Sequence, residues 1–301
     1  MHRALAGGTA GAYRAPATAG NTARVPIADS DCTRFLQTAL PRLGLQWAGF
    51  RKVRRLVCKR LGRRLSELSL PDLDSYRAYL ESRPREWETV ERFCRIPVSR
   101  FYRDRGVFQD LEREVLPTLA ESAIAMGRPE LACWSACCAS GEEPYTLAIV
   151  WRLRLQCRFP GLGLRIVATD IDSHLLERAR TACYRASSLK ALPPDLLAEA
   201  FTRRGEQLCI PGEYPQLDFL KQDIRQTVPE GEFDLILCRN AVLTYFAPPL
   251  QREVMERVTG RLRAGGALVI GIHESLPDGL TGFMPWPGAP GIYRRRADWE
   301  S

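Results

Sequence analysis

The chain has 301 residues, 45% hydrophobic and 26% charged, with a formal net charge of +8. That length suits two domains and that composition a soluble globular protein. No apolar run approaches the roughly 18 residues of a membrane span, so direct membrane insertion is not expected. Residues 1–29 are rich in Ala, Gly and Thr and lack a compact apolar segment, which reads as a disordered tail rather than a secretory signal. The ten cysteines are scattered through a large chain, several inside apolar runs, which reads as reduced thiols in a cytoplasmic protein. Cys133, Cys137 and Cys138 lack C-x-x-C spacing and have no histidine nearby, so no metal is expected.

Residues 30–96 read as a small helical domain. Within it, residues 50–65 (FRKVRRLVCKRLGRRL) carry eight basic residues and no acidic one, and the rest of the chain holds 35 of each sign. Phe50, Val53, Val57, Leu61 and Leu65 recur at spacings of three and four, which predicts one apolar helical stripe. Arg51, Arg55, Lys59 and Arg63 then fall on the opposite face. Leu70-Pro71-Asp72 looks like the start of the next helix, and the helical pattern runs on until Pro97.

Residues 97–301 change rhythm. LACWSACCA, LRIVATDID, LDFLKQDI, FDLILCRN and ALVIGIH are short apolar runs. Helical segments separate several of them, among them SHLLERARTACY and PPLQREVMERVTGRLRAGG, the last with a Gly-Gly stop. Strand–helix alternation at this spacing predicts an α/β domain, a Rossmann-like parallel sheet with helices on both faces. Such sheets bind ligands at the carboxyl ends of their strands, so the residues just after each run are the informative ones.

After the first run comes Ala139-Ser140-Gly141-Glu142-Glu143, with a single glycine. That is no phosphate cradle, and its carboxylates suit a cationic ligand such as S-adenosylmethionine; a helix N-terminus with acids complementing its dipole is the plain alternative. Asp170 and Asp172 end the second run, where an acid can grip ribose hydroxyls, and Asp172 is also placed to cap the next helix. Asp223 follows the third run, and Cys238-Arg239-Asn240 ends the fourth.

The segments RFYRD, WSACCASGEEPYTLAI, ATDID, YRASSLKALP and FDLILCRN, in that order, resemble the CheR family of chemotaxis-receptor methyltransferases. The basic helical segment resembles the family's substrate-docking domain. The resemblance implies a class I S-adenosylmethionine-dependent methyltransferase that O-methylates glutamate side chains of a protein such as a chemoreceptor. S-adenosyl-L-homocysteine is then the product, and the partner is an acidic helical protein such as a chemoreceptor cytoplasmic domain. It implies that Arg103 holds the cofactor carboxylate beside the methyl, with Ser99 contacting cofactor, Glu143 on its amino group and Asp170 on its ribose. Asp223 and Ile224 then line the adenine, Cys238 and Arg239 complete the pocket, and Tyr245 stands near the methyl. Arg103 and Tyr245 are the candidate catalytic residues; Arg51, Arg55, Lys59 and Arg63 are the candidate docking residues.

Three departures from the family pattern bear on these roles. Pro97 stands where an asparagine is common, CRNAVLTYF is one residue longer than CRN-x-x-x-YF, and the segment 185–216, where the family inserts a small β-subdomain, looks short. They keep open a second reading, a CheR-like enzyme acting on a small molecule or a different protein. Nucleic acid is not expected as substrate: the basic helix has no interleaved aromatics, and no Asp-Pro-Pro-Tyr motif occurs. A glutamate acceptor, with a pKa of about 4.3, is ionised at neutral pH and requires no general base, so His174 and His273 read as structural or surface residues.

Overall fold

The computed structural model describes residues 25–212 and 216–296. The expected tail, apart from residues 25–29, lies outside the described residues. The first helices are α1 (Asp29–Arg42), α2 (Trp47–Phe50), α3 (Arg54–Glu67), α4 (Leu73–Ser82) and α5 (Trp87–Cys94). Among the described residues, backbone contacts group residues 25–35 with Arg54–Cys94 in one compact unit, and Leu36–Val53 with those from Arg95 to Arg296 in a second. Residues 36–53, read from sequence as part of the helical domain, thus cluster with the second unit.

In the first unit, Val57, Leu61 and Leu65 of α3 are fully buried, as the apolar stripe predicts. The helix expected over residues 50–65 is not continuous. α2 ends at Phe50, residues 51–53 form a turn in which the Val53 N–H donates to the Phe50 carbonyl at 3.1 Å, and α3 begins at Arg54. Arg51 therefore lies in the turn, and the helical face is made by Arg55, Lys59 and Arg63, all exposed. The other cations of α3 are engaged: Arg54 pairs with Asp29, Arg60 donates to the Phe93 carbonyl, and Arg64 grips Glu86 at 2.8 and 2.9 Å. Asp72 caps α4 by accepting the Ser75 N–H at 2.8 Å.

The second unit continues through α6 (Arg105–Asp110), α7 (Leu116–Ala125), β1 (Glu130–Ala136), α8 (Glu142–Val150), β2 (Gly163–Asp170) and α9 (Ser173–Thr181). Then come β3 (Cys183–Arg185), α10 (Pro194–Ala200), β4 (Thr202–Arg204), β5 (Gln207–Cys209), β6 (Leu217–Lys221) and β7 (Phe233–Leu237). The chain ends with α11 (Val242–Tyr245), α12 (Pro248–Thr259), β8 (Leu262–Val269), β9 (Phe283–Pro285) and β10 (Ile292–Arg295). The main sheet has the order β6-β2-β1-β7-β8-β10-β9. The strands from β6 to β8 pair in parallel, and β10 and β9 add an antiparallel edge. Strand order reverses between β1 and β7, which opens a crevice at their carboxyl ends.

Period-2 alternation builds both faces of this sheet. Leu131, Cys133, Leu235, Leu237, Ala267 and Val269 enter one core; Ala132, Trp134, Ala136, Ile236, Leu268 and Ile270 enter the other. The strand runs read from sequence are all present, but the helix expected to stop at Gly265-Gly266 ends at Thr259. The two glycines belong to β8, where Gly265 takes φ +76 inside the strand. Across Gly266 a Cβ would meet the Asp234 carbonyl at 2.9 Å, so the glycine admits close strand packing.

Two findings revise the cysteine reading. Cys32–Cys58 and Cys183–Cys209 are disulfides, in place of the reduced thiols expected. Each joins residues 26 apart, a separation that carries no local signal. Cys32 and Cys58 face each other from α1 and α3, and Cys183 is the direct antiparallel partner of Cys209. The second bridge lies in a separate three-stranded sheet, β3-β5-β4, so the segment that looks short in sequence does hold a small β insertion, beginning at Cys183.

Candidate functional site

The β1–α8 turn is sewn to the end of β2. The Cys138 N–H donates to the Thr169 carbonyl, and the Ala139 N–H to Asp170 Oδ2 at 2.8 Å. Cys137 (φ 57) and Ala139 (φ 50) hold left-handed backbone, and Gly141 (φ 87) precedes α8. A Cβ on Gly141 would meet the Ala179 Cβ at 2.9 Å, so that position also requires glycine for space. Tyr102, Asp104 and Asn240 are left-handed as well, which concentrates backbone strain on these loops. Glu142 is buried and accepts the Ser140 hydroxyl, whereas Glu143 is half-buried and accepts the Ser135 hydroxyl at 2.8 Å.

Asp170 also accepts the Asp172 N–H at 2.9 Å, so each carboxylate oxygen takes one backbone donor and keeps a second acceptor direction. Burial raises its pKa above the ordinary carboxylate range, against the pull of those N–H groups and the charge of Arg95. Asp172 caps α9 through the His174 and Leu175 N–H groups. Asp223 follows β6. Burial would raise its pKa, but the two-pronged grip of Arg225, at 2.9 and 2.7 Å, outweighs that and lowers it.

Arg239 ties the site together. Its guanidinium is buried and donates to Asp104 at 2.7 Å, to Glu143 at 3.0 Å and to the Arg103 carbonyl at 3.0 Å. The RFYRD segment, the β1–α8 turn and the end of β7 thus meet on one cation. Arg103 itself is half-buried, donates to the Val98 carbonyl, and lines a cavity of about 580 Å³ with Asn240 and His273. Ser99 faces a neighbouring cavity of about 390 Å³.

Glu274, just past β8, is a site residue that reading the strand ends missed, because that reading stopped at His273. Its Oε2 accepts the Gly271 and Asn240 N–H groups at 2.7 and 3.0 Å, and its Oε1 accepts the Thr244 hydroxyl. It therefore holds together the loops that follow β7 and β8. Tyr245 ends α11. Its pKa is raised by burial, lowered by Arg103 and raised by Glu274, which puts both charges near the phenol. Gln46 donates to the Tyr245 carbonyl at 2.9 Å, and Phe50 packs on the ring at 5.0 Å between centroids.

The acids converge. Burial and then the charges of Asp170, Asp223, Glu143 and Glu274 raise the Cys137 thiol well above its usual range. Cys238 is fully buried, and Cys137, Glu274 and Glu143 act on it in the same sense. Ile224 is buried beside Asp223. Gln222 Oε1 is buried without a hydrogen-bond partner among the described residues, an acceptor open to a ligand amino group. Carboxylates with a spare acceptor fit a ligand carrying a sulfonium, amino groups and a ribose diol.

A largely parallel sheet with this reversal, carrying acids on its strand ends, defines a Rossmann-like α/β domain. Residues 97–287 match the family described as CheR methyltransferase, SAM binding domain. The chain is 32% identical over 266 residues to the chemotaxis protein methyltransferase of Salmonella typhimurium, covering 84% of this chain and 86% of that one. It is 36% identical over 182 residues to the chemotaxis protein methyltransferase of Listeria innocua, covering 60% and 66%. A third relative, an uncharacterized 104.1 kDa protein of Rhodobacter capsulatus, is 34% identical over 224 residues; the match covers 73% of this chain and 23% of that protein. The chain belongs to the CheR methyltransferase family, and its class is that of S-adenosylmethionine-dependent methyltransferases.

Proposed function

We propose that this chain O-methylates glutamate side chains on acidic helices of a chemoreceptor-type protein. The observation that carries the reading is the face of α3. Arg55, Lys59 and Arg63 are exposed at four-residue intervals, and none forms an ion pair among the described residues, although neighbouring Arg54 and Arg64 do. A row of open cations on one helix face suits an acidic helix as partner.

When bound, S-adenosylmethionine supplies an electrophilic methyl on a sulfonium. Asp170 has the acceptor directions to take both ribose hydroxyls, and Asp223 and Ile224 flank the place for the adenine edge, with Gln222 Oε1 free to accept its amino group. Glu143 is oriented by Ser135 and Arg239 to receive the amino group of the methionine moiety. In this reading Arg239 positions Glu143, Cys238 closes the floor, and Arg103 takes the cofactor carboxylate while Ser99 adds a hydroxyl. Tyr245, whose phenol feels the charges of Arg103 and Glu274, is assigned to the transfer position. No residue has to remove a proton, because the acceptor carboxylate is already ionised. Fixing the two reactants in line supplies much of the rate.

The test is the chemistry of the product. Extract proteins labelled with methyl-tritiated S-adenosylmethionine should release volatile tritiated methanol on mild alkali, as an ester does. Alkali-stable label would replace this reading with transfer to nitrogen or to a small molecule.

A further inference from the structure

The cavity that Arg103 shares with Asn240 has an outer wall of cations that the proposed cofactor roles do not use. Arg100, Arg105 and Lys190 line it, all exposed, and none makes an ion pair among the described residues. By contrast, Arg128, Arg225, Arg239 and Arg263 in the same unit each hold a carboxylate. The acid in the wall, Asp104, is already paired with the buried Arg239 at 2.7 Å. Arg100 and Lys190 also line the adjoining cavity of about 390 Å³, with the hydroxyl residues Ser99, Ser187 and Ser188, so the positive strip runs across both. Exposed apolar side chains flank it, Ile272 in the larger cavity and Val98 in the smaller.

We propose that this strip is a subsite for the acidic residues flanking the methylated glutamate in a peptide segment of the acceptor protein. It rests on the carboxylate-acceptor reading above and adds the residues that select the sequence around the target. Uncompensated cations next to the residues assigned to the methyl recruit a chain bearing several carboxylates, and the apolar rim accepts side chains between them. A peptide is favoured over nucleic acid because the aromatic residue in the wall, Tyr102, is 2% exposed and offers no stacking surface. Lys190 comes from the segment between β3 and α10, so the inserted region contributes to acceptor choice.

The experiment uses the full chain saturated with S-adenosylhomocysteine and two short fluorescent peptides, identical except that one carries Glu where the other carries Gln. The expected result is preferential binding of the Glu peptide, weakened about tenfold or more in Arg100→Gln/Arg105→Gln/Lys190→Gln. Methyl transfer to that peptide should show the change mainly in KM. Unchanged S-adenosylhomocysteine affinity and melting temperature confirm an intact fold; if the triple variant does not fold, Lys190→Gln alone carries the test and should weaken the Glu peptide in the same sense. The proposal is overturned if wild type does not distinguish the two peptides. It is equally overturned if the cavity variant binds the Glu peptide like wild type while Arg55→Gln/Lys59→Gln/Arg63→Gln loses it, or if oligothymidylate outcompetes the Glu peptide. Alkali-labile labelling of extracts separates the layers. Its absence with the peptide result intact removes the glutamate-ester reading alone; its presence with an indifferent cavity variant removes the subsite alone.

Discussion

Arg239 and Asp170 show at the residue scale how burial sets what a charge can do. Arg239 is 6% exposed, and removing it leaves Asp104 and Glu143 without their shared cation. Breaking a buried pair from one side costs about 3–5 kcal/mol, so Arg239→Ala should lose that much stability in urea unfolding. Arg239→Lys keeps the charge but not the planar fork, and should recover only part of it. A loss below about 1 kcal/mol would mean that water replaces the guanidinium. Asp170 behaves differently, because burial raises its carboxyl. The native state then binds the proton more tightly than the unfolded chain. Its contribution to stability is fullest below the ordinary carboxylate range and falls as pH rises through the raised value. Wild type should lose stability relative to Asp170→Asn across that window; a pH-independent difference would contradict the burial argument. On its proposed role as the ribose acceptor, Asp170→Ala should also weaken S-adenosylhomocysteine binding by about 1–3 kcal/mol in calorimetry.

At the scale of elements, the CRNAVLTYF loop, read from sequence as one residue longer than the family pattern, is held on two sides. The loop is gripped on one side by Glu274 through the Thr244 hydroxyl, and on the other by the segment from Gly44 to α2. Gln46 donates to the Leu243 and Thr244 carbonyls at 3.4 and 3.2 Å, Leu45 bridges to Phe246, and Ala247 donates to the Gly44 carbonyl. Gly49 makes the closest approach: a Cβ there would lie 2.1 Å from the Thr244 carbonyl oxygen. Helix propensity favours Ala over Gly by about 1 kcal/mol, whereas overpacking against rigid backbone costs about 1–3 kcal/mol. Gly49→Ala should therefore lower the melting temperature. It should also slow methyl transfer more than it weakens S-adenosylhomocysteine binding, since α11 carries Tyr245. Equal melting temperature and rate would show that the extension yields freely.

For the whole molecule, the net charge of +8 arises largely in residues 50–65, and within them Arg55, Lys59 and Arg63 are the exposed face of α3. Exposed charges act mainly by steering association, and salt screens that steering over about 8 Å at physiological ionic strength. Arg55→Gln/Lys59→Gln/Arg63→Gln should lower kcat/KM on the acceptor and flatten its salt dependence. S-adenosylhomocysteine affinity should not change, because the cofactor loops all belong to the second unit. Parallel salt profiles at equal rates would reduce α3 to a solvated surface.

The sequence by itself determined the features that a short stretch of chain encodes. The apolar strand runs, the acids at their ends, the helix start at Leu70-Pro71-Asp72, the capping role of Asp172 and the family motifs are each local, set within a turn or a strand. Tertiary structure alone decided the partners. Arg239 reaches Glu143 across 96 residues and Asp104 across 135, and a basic residue after a strand says nothing about which carboxylates will surround it. The same holds for Glu274, whose hydrogen-bond donors lie in two loops, and for the two disulfides, whose cysteines are matched by helix packing and strand register. The break at residues 51–53 and the placing of Gly265-Gly266 in β8 also escaped the local pattern. Apolar periodicity runs unbroken through the first, and a Gly-Gly pair reads equally as a helix stop or as space for a neighbouring strand. Local signals are resolved by backbone sterics and solvent; long-range pairing is resolved only when the sheet and helices bring their side chains into one desolvated place.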